Sequence, residues 1–65
     1  MLIRFGQNLR KIRERVGISQ EKLAELAGLH RTYVSSVERG ERNISLLNID
    51  RLAKALAVPM AKLMQ

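Results

Sequence analysis

The sequence predicts an all-α fold: five short helices packed as one small domain over residues 1–65. Three observations carry this expectation. Apolar residues recur at helical spacing along most of the chain, no segment alternates apolar and polar residues over a strand's length, and the breaks fall at four glycines and one proline. A chain of 65 residues buries only about 60% of its unfolded surface, which supports one hydrophobic core and no second. Self-association would add apolar burial that a monomer of this size barely supplies, so a homodimer is expected.

Phe5, Leu9, Ile12 and Val16 form the expected inner stripe of a first helix that ends near Gly17, with Arg15 placed favourably in its last turn. Ser19 is a good N-cap for a second helix, with Glu21 in the first turn and Ile18 positioned to staple against Leu23. Lys22 occupies the acidic position of a capping box, so the reciprocal bond is not expected. Leu23, Leu26 and Ala27 should face inward, Ala24 is small, and Gly28 turns the chain. A third helix is expected from about Arg31 to Arg39, with Val34 and Val37 inward and Gly40 closing it. After the loop Glu41, Arg42, Asn43, Ser45 should cap a fourth helix with the stripe Leu46, Ile49, Leu52, Ala53 and Leu56, and Asp50 and Lys54 paired outside. Val58 and Pro59 break it, and Pro59 suits the first turn of a short fifth helix carrying Met60, Leu63 and Met64. Gly6, inside the first helix, reads as a mild defect of ~1 kcal/mol with no function assigned.

Composition removes several function classes. Cysteine is absent, which excludes disulfides, thiol nucleophiles and cysteine-based zinc sites. His30 is the only histidine, and without a carboxylate cluster it builds neither a metal site nor a catalytic triad; no enzyme, metal or cofactor is expected. No apolar run approaches the ~20 residues of a membrane span and no signal-peptide core opens the chain, so a cytoplasmic location is expected. Twelve Lys and Arg against six Asp and Glu give a formal +6, which favours a polyanionic partner. The basic residues are spread over several helices, unlike the single polar face of a membrane-surface helix.

The stretch from Gln20 to Val37 is the most informative. Two helices joined by a tight glycine turn cross steeply when the contact residues are small or apolar, as Ala24, Val34 and Val37 are. That geometry frees the outer face of the third helix, which carries Arg31, Thr32, Ser35, Ser36 and Arg39, with Tyr33 at its edge. Such short or forked polar groups suit base edges and phosphates, although Ser and Thr also sit harmlessly on surfaces.

The segment SQEKLAELAGLHRTYVSSVERGERNIS resembles the helix-turn-helix of Cro/C1-type phage repressors, and LLNIDRLAKALAVPMAKLM is similar to the two helices that follow it in that lambda-repressor-like family. The string HRTYVSSVERGERN resembles the small controller proteins of restriction-modification systems. The resemblance implies a dimeric regulator that binds double-stranded DNA in the major groove at a two-fold-related operator, with no small-molecule ligand. It implies base reading by Arg31, Thr32, Ser35 and Ser36. Phosphate or edge contacts fall to Gln20, Tyr33, Arg39, Arg42 and Asn43. His30 stands where the family often has a capping serine, so it is expected to cap the helix or face phosphate, in preference to serving as a pH switch. Similar repressors join an Arg and a Glu at the positions of Arg13 and Glu38, which implies a partly buried ion pair that orients the reading helix.

Leu47 stands where the family usually has a polar residue. With Val58, Met60 and Met64 it is expected to form the dimer interface, and core or dimer packing outweighs an adaptable methionine groove. The competing function is an antitoxin-like module that sequesters a partner protein and autoregulates its operon. Antitoxins of this fold carry an added toxin-binding segment, and a chain ending at Gln65 is expected to lack one. Tyr33 is the one aromatic candidate for stacking on bases, too sparse a supply for a single-strand or RNA platform.

Overall fold

The computed structural model describes residues 2–65. Five helices follow one another: α1 (Leu2–Val16), α2 (Gln20–Ala27), α3 (Arg31–Glu38), α4 (Leu46–Leu56) and α5 (Met60–Leu63). No strand occurs among the described residues, and no helix there is long and apolar enough to cross a membrane. Helices α2 and α3 form the expected helix-turn-helix, α4 packs across α2, and α1 braces the back of α3. Leu9, Leu23, Val34, Val37, Leu52 and Leu63 are completely or almost completely buried, so each helix contributes at least one anchor to a common core.

Local chemistry explains the element ends. Ser19 and Ser45 accept hydrogen bonds from the backbone N–H of Lys22 and Asn48, at 3.0 and 3.2 Å, each satisfying a donor that the helix start would leave bare. Gly28 takes φ 72°, and Leu29 N–H returns to the Ala24 carbonyl at 2.9 Å, which closes α2 and sets the sharp entry to α3. Helix α4 ends differently from expectation: Ala57 itself adopts the left-handed conformation, with φ 58°, before Val58 and Pro59 are reached. Pro59 is the N-cap of α5, one position earlier than the first turn.

Three expected core residues lie outside. Val16 is 47% exposed because it is the last residue of α1 and no element covers that end. Leu26 is 51% exposed because Leu23, Ala24 and Ala27 take the inner face of α2, leaving Leu26 beside Arg51 and Lys54. Leu46 is 68% exposed: it continues the stripe of Ile49, Leu52 and Leu56, but as the first residue of α4 it projects past the core.

Gly6 also departs from expectation. It is buried where α1 meets the end of α3, and a Cβ there would overlap the carbonyl oxygens of Val37 and Glu38. The glycine is the condition for close approach between α1 and α3, which outweighs its cost in helix propensity.

Candidate nucleic-acid interface

The buried side of the interface begins with Arg13 and Glu38, whose side chains are 11% and 2% exposed. Arg13 Nε and Nη2 donate to the two carboxylate oxygens of Glu38 at 2.7 and 3.1 Å, a bidentate fork that fixes direction as well as distance. Arg13 Nη1 donates to the Ile18 carbonyl at 2.8 Å, and Gln20 Nε2 donates to Glu38 Oε1 at 2.9 Å. One carboxylate at the end of α3 is thus tied directly to α1 and to the first residue of α2, and through Arg13 to the turn between those helices. The Glu38 hydrogen bonds raise the Arg13 pKa above its ordinary value, against the lowering effect of burial, with the charges of Glu38 and, less strongly, Glu14 assisting. Among the described residues no buried side-chain nitrogen or oxygen is left without a partner.

The outer side is the exposed face of α3. Arg31 and Thr32 are exposed, Ser35 and Ser36 are half-buried, and all four lie on the same stretch of helix. Ser36 Oγ donates to the Thr32 carbonyl at 2.8 Å, so its lone pairs remain free to accept. Ser35 Oγ accepts a short hydrogen bond from Arg39, and Arg39 Nη2 also meets Glu41 at 3.1 Å. Arg39 is therefore engaged along its own helix and partly neutralised, whereas Arg31 has no ion-pair partner among the described residues.

His30 is the N-cap of α3 but makes no side-chain capping bond. The capping half of its expected role is corrected: the imidazole is exposed, and the first N–H groups of α3 keep their positive end open. Gln20 is half-buried and spends one amide hydrogen on Glu38, leaving the second free. Asn43 and Arg42 are exposed in the loop after α3, and Arg42 Cζ lies 5.7 Å from the centre of the Tyr33 ring. Tyr33 is half-buried, and its Oη accepts a hydrogen bond from Asn48 Nδ2 of α4 at 3.1 Å. Asn48 was invisible as a site residue in the sequence because it lies 15 residues from Tyr33, on a different helix.

Leu47 and Met64 are 60% and 57% exposed, while Val58 and Met60 pack half-buried against the core. Beside Met64 an apolar cleft of about 700 Å³ is lined by Phe5, Ile44, Leu46 and Leu63 among others. Phe5 and Leu46 were expected in the core, and the cleft they share follows from the packing of α1 against α4 and α5.

The helix-turn-helix family profile matches residues 9–63. The chain is 56% identical over 55 residues to the control protein C.BamHI of Bacillus amyloliquefaciens, covering 83% of this chain and 68% of that protein. It is 52% identical over 60 residues to the control protein C.SmaI of Serratia marcescens, covering 92% and 71%. The crystal structure of the restriction-modification controller protein C.AhdI from Aeromonas hydrophila superposes with a TM-score of 0.94 at 55% identity, covering 95% of this chain and 94% of that one. With α3 braced from behind and its polar face turned outward, this chain belongs to the Cro/C1-type helix-turn-helix family of DNA-binding transcription regulators, in the branch of the restriction-modification control proteins.

Proposed function

We propose that the protein acts as a homodimer on a two-fold-related operator in the cytoplasm, controlling transcription of restriction-modification genes, with all 65 residues serving as one DNA-binding domain. The observation that carries this reading is the outward face of α3, polar and free of carboxylates from Arg31 to Ser36, on a helix locked from behind by Arg13 and Glu38. Arg31, Thr32, Ser35 and Ser36 read base edges. Gln20, His30, Tyr33, Arg42 and Asn43 hold phosphate or groove edge, with the open positive end of α3 directed at the backbone. Arg39 serves mainly to order Ser35, since its guanidinium is shared with Glu41.

The dimer forms through the exposed apolar face of Leu46, Leu47 and Met64 with the adjoining cleft. Val58 and Met60 support that face from within each protomer. The two-fold arrangement should set the two α3 helices about 34 Å apart, the repeat of successive major grooves. Selection of genomic fragments on the immobilised protein, followed by sequencing, tests the reading. It should return sites with two inverted half-sites about one helical turn apart. Recovery of unrelated fragments, or of a partner protein in place of DNA, would overturn it.

A further inference from the structure

Tyr33 lies between the reading helix and α4, and its hydroxyl has a defined polarity. The atom that faces the hydroxyl is Asn48 Nδ2, which can only donate, so Tyr33 Oη is the acceptor in the 3.1 Å bond between them, and the phenol's own proton points elsewhere. Among the described residues that proton meets no acceptor. The open space beside it is a cavity of about 330 Å³ lined by His30, Thr32, Ser36, Arg42 and Asn48 with the α2–α3 turn. No carboxylate lines that cavity, and Arg42 stands over the Tyr33 ring. An acceptor-rich ligand fits such a donor-lined hollow, and the hollow opens between α3 and the loop that carries Arg42.

We propose that Asn48 is a positioning residue for DNA recognition: by donating to Tyr33 Oη it makes the tyrosine a directed donor toward an acceptor oxygen or nitrogen of the DNA. The inference rests on the reading of α3 and its flanking loop as the DNA face. It also gives α4 a part in recognition, since the helix that bears Leu46 and Leu47 at its start holds the tyrosine through its third residue.

A double-mutant cycle on the full chain tests this, with wild type, Tyr33→Phe, Asn48→Ala and the double variant titrated against the selected operator duplex and a random duplex. Each single change should weaken operator binding about 3–10-fold, the worth of one directed hydrogen bond, while the double variant binds no more weakly than Tyr33→Phe. Asn48→Asp presents an acceptor in place of the donor and draws the hydroxyl proton back. It should weaken binding more in the wild-type background than in Tyr33→Phe, where only its charge acts. Losses confined to the operator identify a base acceptor; equal losses on both duplexes identify a phosphate oxygen. Thermal melts of each variant separate a folding defect from a binding defect. Independent effects of Asn48 and Tyr33, or an Asn48→Ala variant that binds like wild type, would overturn the proposal. A wild-type chain that bound no duplex would overturn the DNA reading itself.

Discussion

Replacing Glu38 with alanine is the severest test of how the reading helix is held. The carboxylate accepts three hydrogen bonds, two from Arg13 and one from Gln20, in a site where its own side chain is 2% exposed. Its removal leaves the Arg13 guanidinium with the Ile18 carbonyl alone, at 2.8 Å, and strands a nearly buried positive charge. Breaking a buried pair in this way costs about 3–5 kcal/mol. A chain of 65 residues has a total stability of roughly 3–10 kcal/mol, so Glu38→Ala should be marginal or unfolded at ordinary temperature. With about 4–8 °C lost per kcal/mol in a domain of this size, the melting temperature should fall by at least ~12 °C. The control is Glu14→Ala, which removes an ion pair to Arg10 of similar length, 3.1 Å, whose partners are 64% and 56% exposed. That change should cost under about 1 kcal/mol. Circular-dichroism melts and urea titrations compare the two directly. Arg13→Ala set against the exposed Arg51→Ala repeats the comparison from the other side, and a double Arg13→Met, Glu38→Met variant should recover part of the loss. Equal losses for Glu38→Ala and Glu14→Ala would mean the pair is solvated and does not orient α3.

Gly6→Ala should lower stability by about 1–3 kcal/mol despite the better helix former, because the new Cβ meets the carbonyl oxygens of Val37 and Glu38; a raised melting temperature would refute the close approach. Ala57→Gly should raise stability by up to about 1 kcal/mol, since Ala57 holds φ 58° at an exposed turn where glycine carries no Cβ penalty, and a thermal melt reads the gain. Leu46→Glu should abolish dimerisation in sedimentation experiments while leaving the melt of the monomer intact. The residue is 68% exposed at the first position of α4, where a carboxylate suits the helix dipole; an unchanged dimer would move the interface elsewhere.

The parts of the fold written in local chemistry were readable from the sequence. Ser19, Ser45 and Gly28 mark helix ends through bonds and backbone angles that span only a few residues, and the structure has them in those roles. The Asp50 and Lys54 pair, 2.9 Å apart, follows from helical spacing in the same way. What escaped depends on how helices cross. Periodicity names a stripe but not how far the neighbouring helix covers it, so Val16, Leu26 and Leu46 were read inward and lie outside. Gly6 looked like a propensity defect because its reason is the backbone of α3, more than 30 residues on. Ala57 gave no signal at all, since alanine rarely takes the left-handed conformation that closes α4 here. The site divided along the same line. The outward residues of α3 follow from the helix's own spacing, whereas the tie of Gln20 to Glu38 and of Asn48 to Tyr33 joins elements that only the tertiary structure brings together.

The central claim is that α3 reads sequence while the loop after it holds the backbone, and Arg31 and Arg42 separate the two most directly. Both are exposed and neither has a carboxylate partner among the described residues, so each is free to meet DNA. The Arg31 guanidinium has the fork that matches guanine O6 and N7, so Arg31→Ala should cost ~1–3 kcal/mol on the operator and blur preference at one base position. Arg42→Ala should weaken operator and random DNA alike and reduce the slope of log K against log salt by about one unit. The decisive measurement is the affinity of both variants for both duplexes across a salt series. A selective loss for Arg31→Ala with a uniform, salt-linked loss for Arg42→Ala is the predicted result, and an Arg31→Ala variant that lost operator and random DNA equally would contradict it.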